Sequence, residues 1–139
     1  MNNIELAKSY INEARLRLKT ARSALESGAY AYCIRQCQEA VELLLKAALR
    51  LVGIEPPKVH DVGPILMENR DRFPDSFREA IPFLAGVSRW LRREREPSMY
   101  GDEELGLPPE KLYTYPYAKR AFEDANKVYE YVTGLLEVF

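Results

Sequence analysis

The sequence predicts an all-α fold, an up-and-down helical bundle of four main helices plus a short connector helix. Three observations lead there. Small and apolar residues recur at alternating steps of three and four over long stretches. Glycines and prolines interrupt the chain where those stripes stop. No segment alternates apolar and polar residues with the two-residue period of a strand. At 139 residues and 47% hydrophobic, the chain has enough apolar surface for one core, so residues 1–139 are read as a single domain.

The first helix carries Ile4, Ala7, Ile11, Ala14, Leu18, Ala21 and Leu25 on one face. Gly28 ends it, because a helix C-terminus favours a residue free to take positive φ. Ser27-Gly28 leaves just enough chain for a tight reversal. The second helix therefore folds back, with Ile34, Cys37, Val41, Leu44, Ala48 and Leu51 at the same spacing, and stops at Gly53 before Pro56-Pro57. A short connector helix follows, with Asp61 as its expected cap and Pro64 in its first turns. Phe77, Ile81, Leu84, Val87 and Leu91 define the next long helix, expected to run into Arg95, with Pro82 kinking but not breaking it. Pro97 to Pro116 reads as a loop by composition, rich in Gly, Pro and acids. The last helix is expected from Tyr117, along Ala118, Ala121, Ala125, Val128, Val132 and Leu135.

Composition excludes several classes. Twenty basic against 21 acidic residues give a formal net charge of −1, so no global field draws the molecule to nucleic acid or membrane, and any such attraction is local. Cys33 and Cys37 lie four apart in an apolar stripe, outside the spacing of redox or zinc pairs, and read as core thiols. With one histidine and no second cysteine pair, a structural zinc site lacks ligands; a carboxylate-bound magnesium stays open, and no metal ligand is assigned. The N-terminal residues carry charge in every turn, which fits neither a signal peptide nor a membrane span, and a cytoplasmic protein without membrane association is expected.

The stretch YCIRQCQEAVELLLKAALRLVGIEPPKVHDVGPIL holds Gln38, Ala40, Glu42, Lys46 and Ala47 in order, followed by His60-Asp61. It resembles the centre of HEPN domains (higher eukaryotes and prokaryotes nucleotide-binding domains). LRREREPSMYGDEE resembles the family's arginine and Tyr-Gly segment. The resemblance implies a helical bundle that dimerises and works beside a minimal nucleotidyltransferase as a toxin–antitoxin pair. In ribonuclease members it implies catalysis by an Arg-x4–6-His motif across a dimer cleft. Arginine suits the scissile phosphate, and histidine suits proton transfer from a 2′-hydroxyl. Aligning the Arg-x4-His-x-Tyr form on Tyr100 places Arg93 at the arginine and Ser98 at the histidine. Serine does not titrate near neutrality, so this copy lacks a step worth roughly two to four orders of magnitude in rate.

Each candidate has two readings. Arg89, Arg92, Arg93 and Arg95 form either a phosphate site, with Arg93 and Arg95 as its ligands, or a solvated face paired with Glu94 and Glu96. Glu42 and Lys46 form either a helical ion pair or part of a cleft, with Lys46 as a nucleotide ligand. His60 with Asp61 is either a helix cap or an acid–base pair. Tyr100 either anchors a loop or, as the resemblance implies, accepts a nucleotidyl group from a partner enzyme. The tyrosines from Tyr113 to Tyr117, with Tyr129 and Tyr131, suit an interface or the core.

The functional expectation is a HEPN-type homodimeric subunit binding nucleotide, such as ATP, or RNA phosphate through Arg93, Arg95, Lys46 and Tyr100, and pairing with a minimal nucleotidyltransferase. The alternatives are a metal-independent endoribonuclease using Arg93 and His60, and a non-catalytic dimeric scaffold.

Overall fold

A computed structural model describes residues 3–139 of the chain. Helix α1 spans Asn3–Glu26 and α2 spans Tyr30–Leu51. Both end in the same device. Gly28 (φ 82°) and Gly53 (φ 81°) take the left-handed conformation. The amides of Ala29 and Ile54 then reach back to the carbonyls of Ala24 and Leu49, while those of Gly28 and Gly53 bond Leu25 and Arg50. Carbonyls that a helix end would leave unpaired are thereby satisfied, and the chain reverses within three residues after α1.

Small residues set the closeness of this hairpin. Ala7, Ala14 and Ala21 of α1 are wholly buried, and α1 packs more extensively on α2 than any other pair of helices does. Helix α2 is central, touching α1 and, further along the chain, every other helix. Accordingly it is buried nearly all round, including Cys33, Ile34, Cys37, Leu44, Leu45 and Leu49. Two glutamines, Gln36 and Gln38, are also buried there.

The connector helix α3 covers Gly63–Glu68. Val62, not Asp61, occupies its N-cap position. Asp61 sits one residue earlier, where its Oδ1 accepts from the Gly63 amide at 3.1 Å and from the Ser88 hydroxyl at 2.8 Å. Ser88 Oγ in turn accepts from the Val62 amide at 3.1 Å. This half-buried triangle fastens the segment carrying His60 to the helix of Ser88.

Helix α4, Asp75–Arg93, passes through Pro82 unbroken, with the ring on the exposed face away from Phe77, Ile81, Leu84 and Leu91. It stops two residues before the expected Arg95. Glu94 makes a turn, and a short helix α5, Arg95–Tyr100, runs four residues into the Pro97–Pro116 segment expected to be loop. Pro97 lies in the first turn of α5, where its missing amide is not needed. Asp102 and Leu107 then pair in a small antiparallel hairpin through bonds of 2.8 and 3.0 Å. Gly101 (φ 78°, ψ −159°) occupies a conformation open essentially to glycine alone, with the Leu107 carbonyl packed where a Cβ would project. Helix α6, Tyr115–Leu136, begins two residues before Tyr117 with Pro116 in its first turn, and lays its predicted alanine and valine stripe on α2 and α1.

The architecture is thus all-α: α1, α2, α4 and α6 as the main helices, α3 as connector, and α5 in addition. No helix among the described residues is long and apolar enough to cross a membrane.

Candidate phosphate site on the central helix

Within the apolar helix α2, Gln38, Glu42 and Lys46 stand at successive steps of four and form one polar ridge. Two later segments converge on it. From α5, Arg95 Nη1 donates to Gln38 Oε1 at 2.8 Å. From the segment before α3, His60 Nδ1 lies 2.9 Å from Glu42 Oε1, and with a carboxylate as acceptor that nitrogen carries the proton. Gln38 Nε2 donates to the same Oε1 at 3.1 Å, and Lys46 Nζ donates to Oε2 at 3.1 Å.

Glu42 is the hub. Its side chain and that of Lys46 are each only 17% exposed, whereas His60 stands 44% exposed at the rim. Burial alone would raise the Glu42 carboxyl, but hydrogen bonds from His60, Lys46 and Gln38, with the Lys46 charge, outweigh it and hold the group below its ordinary value. One carboxylate thus orients three donors. It leaves further N–H groups of Arg95 and Lys46, and Nε2 of His60, without protein partners among the described residues. Arg95, through the Gln38 amide, and Lys46 thus approach the same Glu42 carboxylate from opposite sides along the helix.

Not every sequence candidate joins this ridge. Arg93 closes α4 on the exposed surface and makes no hydrogen bond to the cluster; its charge is felt at the Tyr117 phenol. The turn at Glu94 sends Arg93 and Arg95 different ways. Arg92 pairs with Glu96 at 2.8 Å, as the solvated-face reading of that arginine requires. Tyr100 ends α5 with 61% of its surface exposed and no bond to the ridge.

Two features are not legible in the sequence. The linking role of Gln38 was signalled only by its four-residue spacing from Glu42. Glu94 accepts from the phenols of Tyr113 (2.8 Å) and Tyr117 (3.1 Å). Desolvation, then the bond to Glu94 and its charge, push the Tyr113 phenol far above its usual value. Tyr113 is buried and Tyr117 exposed, so the tyrosine run serves core and surface alike. Among the described residues no three His, Cys, Asp or Glu side chains converge as metal ligands would.

A sequence profile of the HEPN domain matches residues 7–135. The chain belongs to the HEPN family. Its curated relatives include the "Putative toxin MJ1304" of Methanocaldococcus jannaschii, 28% identical over 97% of this chain and 91% of that protein. Among solved structures, TT1696 from Thermus thermophilus is similar at 26% identity and a TM-score of 0.71, covering 96% of this chain and 98% of the other. ST0689, an archaeal HEPN homologue, shares the fold at 23% identity and a TM-score of 0.72, over 94% and 97%. In this HEPN chain Ser98, aligned with the motif histidine, is buried, and its Oγ donates to the Arg95 carbonyl at 3.1 Å. The hydroxyl is committed to its own helix.

Proposed function

We propose that this HEPN chain is a nucleotide- or RNA-phosphate-binding subunit whose site is the α2 ridge, acting as a homodimer beside a minimal nucleotidyltransferase in a toxin–antitoxin-like pair. The observation that carries the reading is the convergence of Arg95, Lys46 and His60 on one nearly buried carboxylate–amide pair. A guanidinium already held at one N–H loses little further freedom on meeting an oxyanion. The relative named "Putative toxin MJ1304" supports a toxin–antitoxin-like pairing. The exposed Tyr100 phenol is accessible for nucleotidyl transfer by such a partner.

Calorimetric titration of the protein with ATP, and with a short single-stranded RNA, tests this. Arg95→Ala and Lys46→Met should each weaken binding about tenfold or more, the worth of one or two charge-assisted hydrogen bonds, while Arg93→Ala changes it little. Equal affinities for the parent and both ridge variants would refute the assignment.

The His60–Glu42 bond favours a second reading, RNA cleavage by 2′-hydroxyl attack. His60 Nε2 takes the 2′-hydroxyl proton, the 2′-oxygen bonds to phosphorus, and the P–O5′ bond breaks. The departing 5′-oxygen takes a proton from water, and Arg95 offsets charge on the phosphorus-bound oxygens. Products would carry 2′,3′-cyclic phosphate and 5′-hydroxyl ends. Cleavage unaffected by His60→Ala would exclude His60 as the base.

A further inference from the structure

On elements that contribute nothing to the ridge, α1 and α6 leave an open seam. Its main cleft encloses about 650 Å³, and a second of about 570 Å³ adjoins it through Arg22, Phe122 and Glu123. Arg15, Lys19 and Arg22 line one wall of α1 at steps of four and three, a stripe of about 10 Å, with Lys127 opposite on α6. Among the described residues none of these four cations forms an ion pair, although Arg17 on the same helix pairs with Glu39 at 2.8 Å. The two clefts together present five cations, counting Lys119, against the carboxylates Glu26, Glu123 and Glu130. That local excess is positive in a chain of net charge −1.

The floor is aromatic. Arg22 lies 5.9 Å from the centroid of the half-buried Phe122 ring, so its planar cation is steadied over a π-face. Tyr129 lines the first cleft, and the edge-packed pair Tyr30 and Tyr115 lines the second.

We infer that the α1–α6 seam is a binding track for single-stranded nucleic acid. Cations in a row without carboxylate partners meet successive backbone phosphates, and rings and a steadied guanidinium between them offer stacking surfaces that any base can use. A lipid surface is flat and does not match rings that line a cleft between two helices. An acidic protein segment satisfies the cations but leaves the stacking surfaces idle.

The probe is a labelled single-stranded oligothymidylate, which has no 2′-hydroxyl and cannot be cleaved by the route above. Its binding is followed by fluorescence anisotropy over a range of salt, in the Arg95→Ala background so that the ridge contributes little. Adding Lys19→Glu with Arg22→Glu, both exposed positions, should weaken binding more than tenfold. It should also flatten the plot of log affinity against log salt by roughly 1.4, two phosphate contacts at about 0.7 each for a single strand. Circular dichroism should report an unchanged helix content. Affinity and salt slope indifferent to the double reversal would overturn the inference. So would an acidic peptide of matched charge binding the seam as tightly as the oligothymidylate.

Discussion

Replacing Glu42 by alanine removes the hub of the ridge without touching the apolar core. Three donors lose their acceptor: the Gln38 amide, whose residue is 2% exposed, the Lys46 ammonium, and the His60 imidazole. Truncating one member of a fully buried ion pair costs about 3–5 kcal/mol. Lys46 is 17% exposed and can recruit some water, so its share falls toward the roughly 1.5–3 kcal/mol of a charge-assisted bond. The stranded Gln38 amide adds about 1 kcal/mol, and the largely exposed His60 adds little. The sum is about 2–4 kcal/mol. For a domain of this size that lowers the melting temperature by roughly 6–15 °C, measured by far-ultraviolet circular dichroism near neutral pH. Glu42→Gln, which keeps one acceptor oxygen, should cost about half as much. A double-mutant cycle with Lys46→Met should return a coupling above about 0.5 kcal/mol. A loss below about 0.5 kcal/mol for Glu42→Ala, the scale of an ordinary surface change, would refute the view that this carboxylate organises the ridge.

Two further outcomes are expected. Because the Glu42 carboxyl is held below its unfolded value of about 4.3, its contribution is complete above that pH and is lost as pH falls through the folded value. Denaturant titrations from neutral to acid pH should therefore decline less steeply for Glu42→Gln than for the parent. Gly101→Ala forces a side chain into a glycine-only conformation against the Leu107 carbonyl, so about 1–3 kcal/mol of stability should disappear. Amide exchange at Asp102 and Leu107 should accelerate at the same time, and unchanged exchange there would contradict the hairpin's dependence on this glycine.

Local rules reached most of the fold. The three-and-four spacing from Ala7 to Leu25 and the glycines at 28 and 53 carry their meaning within a few residues, so the hairpin of α1 and α2 is legible directly. Helix α5 was not, because Pro97, Gly101, Pro108 and Pro109 give its neighbourhood the composition of a loop, and a proline in a first turn breaks nothing. The ridge itself is equally local, since Gln38, Glu42 and Lys46 announce a shared face. The partners are not. Arg95 meets Gln38 across 57 positions and His60 meets Glu42 across 18, contacts that depend on how α5 and the 54–61 segment dock. Motif spacing pointed to Arg93, whereas the one-residue turn at Glu94 is what turns Arg95 toward the ridge.

Helix α6 follows every other element in sequence, yet it packs on α2 more extensively than any helix but α1, with Ala118, Ala121, Ala125, Val128 and Val132 fully enclosed. During synthesis the early hairpin can zip quickly from neighbouring contacts, but it must wait with an uncovered apolar flank while some sixty intervening residues are polymerised. At about 5–20 residues per second that wait lasts several seconds, far longer than a hairpin of helices needs to form. A nascent chain stalled before α6 should therefore be a good client for holdase chaperones.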